Sequence, residues 1–236
     1  MRNIKAIFIK QLKSFFKNPS LFGTPGAFLL IPFLILLLIP GTGEDRGIII
    51  SQFVLMFAGI SMIGNAAVVI NEDRDTMNLR FMAMAGVKPY QYLLASGGVL
   101  LLVSLGALFL FGLMAQYSGE VMLNFLILSM LGITCSILLG TTLSLSKIAP
   151  FTMVVALILG VGPIFANGNE TLANIFHFTY VQQMNNFIQQ SSEGIVSIPN
   201  DAFQIVLINL AVLLVLFIIT NLRNGLDGEK LAKRRA

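Results

Sequence analysis

The chain has 236 residues, of which 56% are hydrophobic and only 11% charged, and its mean hydropathy is +0.85. Soluble domains carry about 25% charged residues, so composition excludes water as the main solvent and leaves no length for a separate soluble domain. A lone cysteine, Cys135, excludes an internal disulfide, and the net charge of +4 falls in loops as it would beside a membrane rather than nucleic acid.

In Ile4–Lys17, Ile4, Ile7, Phe8, Leu12 and Phe15 recur at helical spacing, while Lys10, Lys13 and Lys17 gather on the opposite face. This pattern predicts an amphipathic helix on a leaflet surface, lysines toward anionic lipid. A cleavable signal peptide is not expected, because about twenty residues precede the first apolar run.

A helix needs roughly 20 apolar residues to cross the hydrocarbon core. Six runs qualify: Leu21–Ile39, Ile48–Ile70, Leu93–Ala115, Val121–Leu145, Pro150–Ala166 and Ala202–Leu222. The first contains Pro25 and Pro32, which neighbouring helices must accommodate. Gly160, Gly162 and Pro163 predict that the fifth breaks or bends before the far interface. The fold class is thus all-α: a polytopic membrane protein of six transmembrane helices with an N-terminal amphipathic interfacial helix. Its single transmembrane domain, 1–236, divides into the interfacial helix 1–20, spans one and two 21–70, a loop 71–90, spans three to five 91–166, an outer segment 167–201, span six 202–222 and a tail 223–236.

With the N-terminus in the cytoplasm, every Lys and Arg except Arg46 falls on the inner side. The positive-inside rule then places both termini in the cytoplasm. Tyr90 and Tyr92 at the inner boundary, and Tyr117 and Tyr180 near the outer one, agree with the interfacial preference of tyrosine.

The six spans hold no Asp, Glu, Lys, Arg or His, the groups with which carriers and pumps usually bind or relay a coupling ion. Their polar residues include Gln52, Asn65, Asn124, Gln204 and Asn209. Most are expected to hydrogen-bond between helices, and Gln52 and Asn65 are the candidates for a substrate path. No G-x-x-x-x-G-K-[ST] loop occurs, and the single His177 has no second ligand at metal spacing. No metal site is expected. Energy for transport would have to come from another chain.

Gly132, Ser136, Gly140 and Ser144 recur every four residues along span four. Such a stripe lets backbones approach closely, either within the chain or at a dimer seam.

The inner loop begins with an acidic cluster, Glu72, Asp73 and Asp75. A helix-prone stretch follows, Thr76–Ala85, exposing Met77, Leu79, Phe81, Met82 and Met84, and Gly86 and Pro89 end it. The acids near its start would favour the helix dipole. An apolar face at the water boundary either lies on lipid or docks into a groove of a cytoplasmic protein.

The basic amphipathic leader, the six spans, the acidic start of the inner loop and its end at Val87-Lys-Pro-Tyr-Gln-Tyr-Leu-Leu94 resemble the permease subunits of type-2 ABC exporters. The outer segment Phe176–Phe187 is similar to that family's segment between the last two spans, although His177 and Thr179 stand where the family usually has proline before an aromatic. The resemblance implies that residues 72–85 form a coupling helix seated in an ATPase subunit, through Glu72, Asp73, Asp75, Met77, Leu79, Phe81 and Met82. It implies that Ile4–Lys17 is a connecting helix and that 167–201 forms re-entrant outer helices. It also implies a second permease copy or a related permease, ATP and Mg on the partner ATPase with no cofactor on this chain, export, and a bacterial cell membrane. Asn169-Glu-Thr171 fits a glycosylation pattern, without meaning in a bacterial protein. The rival classes are an ion-coupled carrier or channel, which should show intramembrane charge or a polar stripe, and a membrane-embedded enzyme, which needs a convergent polar constellation.

Overall fold

The structure, a computed structural model, describes residues 2–38, 43–146, 149–166, 168–192 and 196–224. Lys147 and the basic residues of the tail beyond 224 lie outside the described residues. Among the described residues every regular element is helical, and six helices are long and apolar enough to cross a membrane.

The leader forms α1 (Arg2–Lys17), and Asn18 separates it from α2 (Pro19–Leu38), the first span. Ile7 and Phe15 are buried, with Lys10, Lys13 and Lys17 exposed on the other face. Gln11 sits among the buried residues, which apolar periodicity alone does not anticipate.

Span two is one long helix, Asp45–Asp75. It comprises α3 (Gly43–Met56), a π-helical turn at Phe57–Met62, and α4 (Ile63–Asp75). At about 1.5 Å per residue it is about 46 Å long, against a hydrocarbon core of about 30 Å, so its last turns project beyond the apolar layer. It is the central helix, mostly buried, whereas the first and last spans bury little of their surface. Their exposed Leu, Ile and Phe side chains are what contact with lipid requires.

A left-handed residue, Met77 (φ 57°), separates α4 from the short α5 (Asn78–Met84). Gly86 (φ 76°) ends α5 in a Schellman turn, with the Val87 N–H donating to the Met82 carbonyl at 3.0 Å. Span three is α6 (Pro89–Met114), opened by proline at its first position and by the Gln91 side chain accepting from the Lys88 N–H at 3.1 Å. Span four is α7 (Gly119–Leu145).

Span five, Ala149–Ala166, consists of a 3-10 turn and α8 (Thr152–Ala166). The expected break is absent, for α8 runs through Pro163 to Ala166. Its glycines serve close approach instead. A Cβ on Gly59, in the π-helical turn, would stand 2.4 Å from the Gly160 Cα, and one on Gly162 would strike the Phe176 ring. Spans two and five therefore cross backbone to backbone.

Two shorter helices follow, α9 (Glu170–Phe176) and α10 (Tyr180–Ser192), and then span six, α11 (Asn200–Asn224). Asn169 caps α9 by accepting from the Thr171 and Leu172 N–H groups, so the apparent glycosylation acceptor is a helix cap.

Candidate functional site: the junction at Asp73 and the α9–α10 hairpin

The acidic cluster lies elsewhere than its spacing suggests. Glu72, Asp73 and Asp75 belong to the last turn of α4 and not to the first turn of the loop helix. They therefore sit at the negative end of a helix dipole, where a carboxylate is disfavoured by about 0.3–1 kcal/mol. Asp73 is buried, and the surrounding elements compensate it. Its Oδ1 accepts from Lys10 Nζ at 3.4 Å and from Asn78 Nδ2 at 3.1 Å. Its Oδ2 accepts from the Tyr92 hydroxyl at 2.8 Å and from Gln11 Nε2.

One carboxylate thus joins α1, the end of span two, α5 and the start of span three. Hydrogen bonds to a charged group are each worth about 1.5–3 kcal/mol, so three neutral donors hold the junction firmly. The Lys10 contribution is smaller, because that side chain is half exposed and screened. Beside it, Glu72 Oε2 accepts from Asn18 Nδ2 at 2.9 Å, which ties the link between α1 and α2 to the end of span two.

Apolar packing underlies these bonds. Ile7, Ile70, Tyr92 and Ala95 form a small buried cluster, against which Met82 and Val87 pack. The loop side chains consequently divide. Met82 turns inward and Met77 is half-buried, whereas Phe81 and Met84 are 60% and 67% exposed. The Leu79 side chain lies outside the described residues. Glu72 and Asp75 are exposed and Asp73 is not, so the cluster is two surface acids and one internal tie.

On the opposite side, α9 and α10 make a hairpin that enters the bundle. The Phe178 carbonyl, at its tip, accepts from Asn209 Nδ2 at 2.8 Å. Asn209 lies about 13 Å along α11 from its start, at about 1.5 Å per residue. Tyr180 meets Ser136 hydroxyl to hydroxyl at 2.9 Å, about two-thirds of the way along α7 from its start. The helix then climbs back until the Tyr117 hydroxyl donates to the Ile188 carbonyl at 3.1 Å, beside the α6–α7 turn. Burial pushes the Tyr117 phenol up to about 12, so it remains a neutral donor.

Non-helical backbone packed against a helix bundle needs internal partners. The tip has them: Gln183 donates to the His177 carbonyl, Asn209 to that of Phe178, and the Thr179 hydroxyl to that of Phe176. These polar residues, unremarkable in sequence, satisfy the backbone of the turn.

The small-residue stripe of span four faces this same chain throughout. Gly132 lies against Met184 and Tyr180, Ser136 bonds Tyr180, and a Cβ on Gly140 would stand 2.3 Å from the Ile63 carbonyl. Ser144 donates to Asn71 Oδ1 at 2.8 Å. Of the two candidate path residues, Gln52 is half-buried on α3, and Asn65 is buried with its amide nitrogen 3.1 Å from the Leu21 carbonyl. No group of His, Cys, Asp and Glu that could hold a metal ion occurs among the described residues.

The architecture is that of an all-α, multi-pass membrane protein. No family model matches the chain, nor does any curated protein or solved structure.

Proposed function

We propose that this chain is the permease subunit of an ATP-driven ABC exporter, forming a substrate path and coupled to a separate ATPase through residues 71–90. The observation that carries the reading is the Asp73 junction. Because one buried carboxylate ties α5 to α1 and to spans two and three, a push on α5 would move those spans together. Phe81 and Met84 are exposed on α5, which follows the exposed acids Glu72 and Asp75 in the chain. An exposed apolar pair with carboxylates in the preceding turn of chain suits a hydrophobic groove with a basic rim on a soluble protein.

In this reading ATP and Mg sit on the partner, and the loop side and both termini are cytoplasmic. A second permease copy or a related one completes the path. Two packings of the spans differ in the side that is open, and the ATPase biases them. The hairpin at 177–179 would close the path on the outer side. Outward transport and a bacterial cell membrane come from the family resemblance alone.

The test is Phe81→Glu combined with Met84→Glu. Both side chains are exposed, so folding should be unaffected, while association with the ATPase should weaken at least tenfold, about 1.4 kcal/mol. Unchanged association and unchanged coupled hydrolysis would remove the loop from this role. Reconstituted alone in liposomes, the chain should accumulate nothing uphill, and sustained accumulation would overturn the proposal.

A further inference from the structure

In the π-helical turn of span two, Phe57–Met62, backbone carbonyls accept from the amide five residues on and not four. The turn therefore holds one residue more than an α turn. Its two flanks pack on different neighbours. The α3 side lies mainly against α8 and α10, and the α4 side mainly against α7. Polar bonds pin α4: Asn65 donates to the Leu21 carbonyl, Ser144 donates to Asn71, and Asp73 makes its junction. On the other side Val54, Leu55 and Phe57 are held by apolar packing, with the Phe57 and Phe111 rings 5.7 Å apart.

Two features of the turn oppose each other. Ser61 is buried, and its hydroxyl has no hydrogen-bond partner among the described residues. The hydroxyls of Ser96, Ser104 and Ser136 return to the carbonyl four residues back, at 3.0, 2.7 and 3.2 Å. For Ser61 that carbonyl belongs to Phe57, and the π pattern commits it to the Met62 amide. An α turn would present it to the hydroxyl. In favour of the π turn stands Gly59, which it brings against the Gly160 backbone. Each arrangement satisfies what the other forfeits.

We propose that the extra residue is mobile: span two exchanges between the turn at Phe57–Met62 and a second arrangement with the turn at residues 53–58. There the residues passed over, Met56 to Gly59, are turned by about 100°, the rotation of one residue. Ser61 then donates to the Phe57 carbonyl, and Gly59 leaves Gly160. Passage the other way is blocked, because it would turn Asn65 and also Ile63, whose carbonyl abuts Gly140. Since α4 keeps its register, α3 can repack against α8 and α10 without breaking the Asp73 junction. The device belongs to this chain alone and does not depend on the coupling reading.

Met56 is half-buried and lies among the residues passed over, whereas Met122 in the first turn of α7 does not. In nanodiscs of the full chain with isotope-labelled methionine methyl groups, the Met56 signal, assigned with Met56→Leu, should exchange between two environments within microseconds to milliseconds. Met122 should show one. Ser61→Ala removes the group that gains a partner in the second arrangement and should lower its population about fivefold. Deleting Ile60 removes the spare residue without turning either flank, and should leave a folded chain with a single Met56 environment. Deleting Leu131 from α7, which has no spare residue, should unfold the chain. A Met56 signal without exchange in the unaltered chain would overturn the proposal. So would a second population undiminished by Ser61→Ala, or a chain disrupted by loss of Ile60 as severely as by loss of Leu131.

Discussion

Asn65 on span two donates its side-chain amide to the Leu21 carbonyl on span one, at 3.1 Å. Leu21 is four residues before Pro25, which has no N–H to return to that carbonyl. The asparagine supplies from a neighbouring helix the donor that the proline removes from its own. In a medium without water this lets the first span keep a proline in its interior.

The relationship makes a coupled prediction. Asn65→Leu leaves the Leu21 carbonyl bare and should destabilise the protein by about 1–3 kcal/mol. Adding Pro25→Ala restores the local N–H and should recover most of the loss. Denaturant unfolding in detergent measures both, and simple additivity of the two changes would show that the residues are not linked.

At the loop junction, Tyr92→Phe removes one donor from Asp73 and should cost about 1–2 kcal/mol. Asp73→Leu leaves Gln11, Asn78 and Tyr92 without their acceptor and should cost more, about 3 kcal/mol or above. Hydrogen exchange should show α1 opening in the leucine variant. Protection of α1 at the wild-type level would mean that packing alone holds it.

Glycine positions separate into two groups. Gly59→Ala and Gly140→Ala place a methyl 2.4 and 2.3 Å from facing backbone. Each is expected to cost about 1–3 kcal/mol or more, since backbone cannot step aside as a side chain can. Gly106→Ala, with nothing within 4 Å, should be neutral or stabilise by up to about 1 kcal/mol, because alanine favours the helix. Thermal melts of the three variants decide the matter, and similar melts throughout would mean that spans two, four and five are not in close contact.

The depth of the hairpin can be probed by labelling. With Cys135 replaced by alanine, Thr171→Cys at the start of α9 should react readily with a water-soluble maleimide. Phe178→Cys at the tip should react at least tenfold more slowly despite its 72% exposure, because what it faces is not water. Comparable rates would mean that the tip stands outside the membrane.

Much of the architecture is written in one-dimensional pattern. Apolar runs of sufficient length locate six spans, since nothing else satisfies about 20 consecutive apolar residues, and the observed boundaries differ by a few residues. The leader helix is equally legible, because periodicity records which face is wet. Gly86 stops the loop helix for a local reason, its left-handed φ.

What required the tertiary structure is everything that depends on a partner distant in sequence. Asp73 looks like its exposed neighbours Glu72 and Asp75, yet it is buried because Gln11 and Tyr92 converge on it from 62 residues before and 19 residues after. Pro163 reads as a break, yet α8 runs through it to Ala166, and the glycine beside it, Gly160, serves close contact with Gly59 of span two. The amides of Gln183 and Asn209 read as ordinary polar side chains, and only the folded hairpin shows them completing the backbone of its turn. Periodicity reports the solvent a residue faces. It carries no information on which group of another helix will stand opposite.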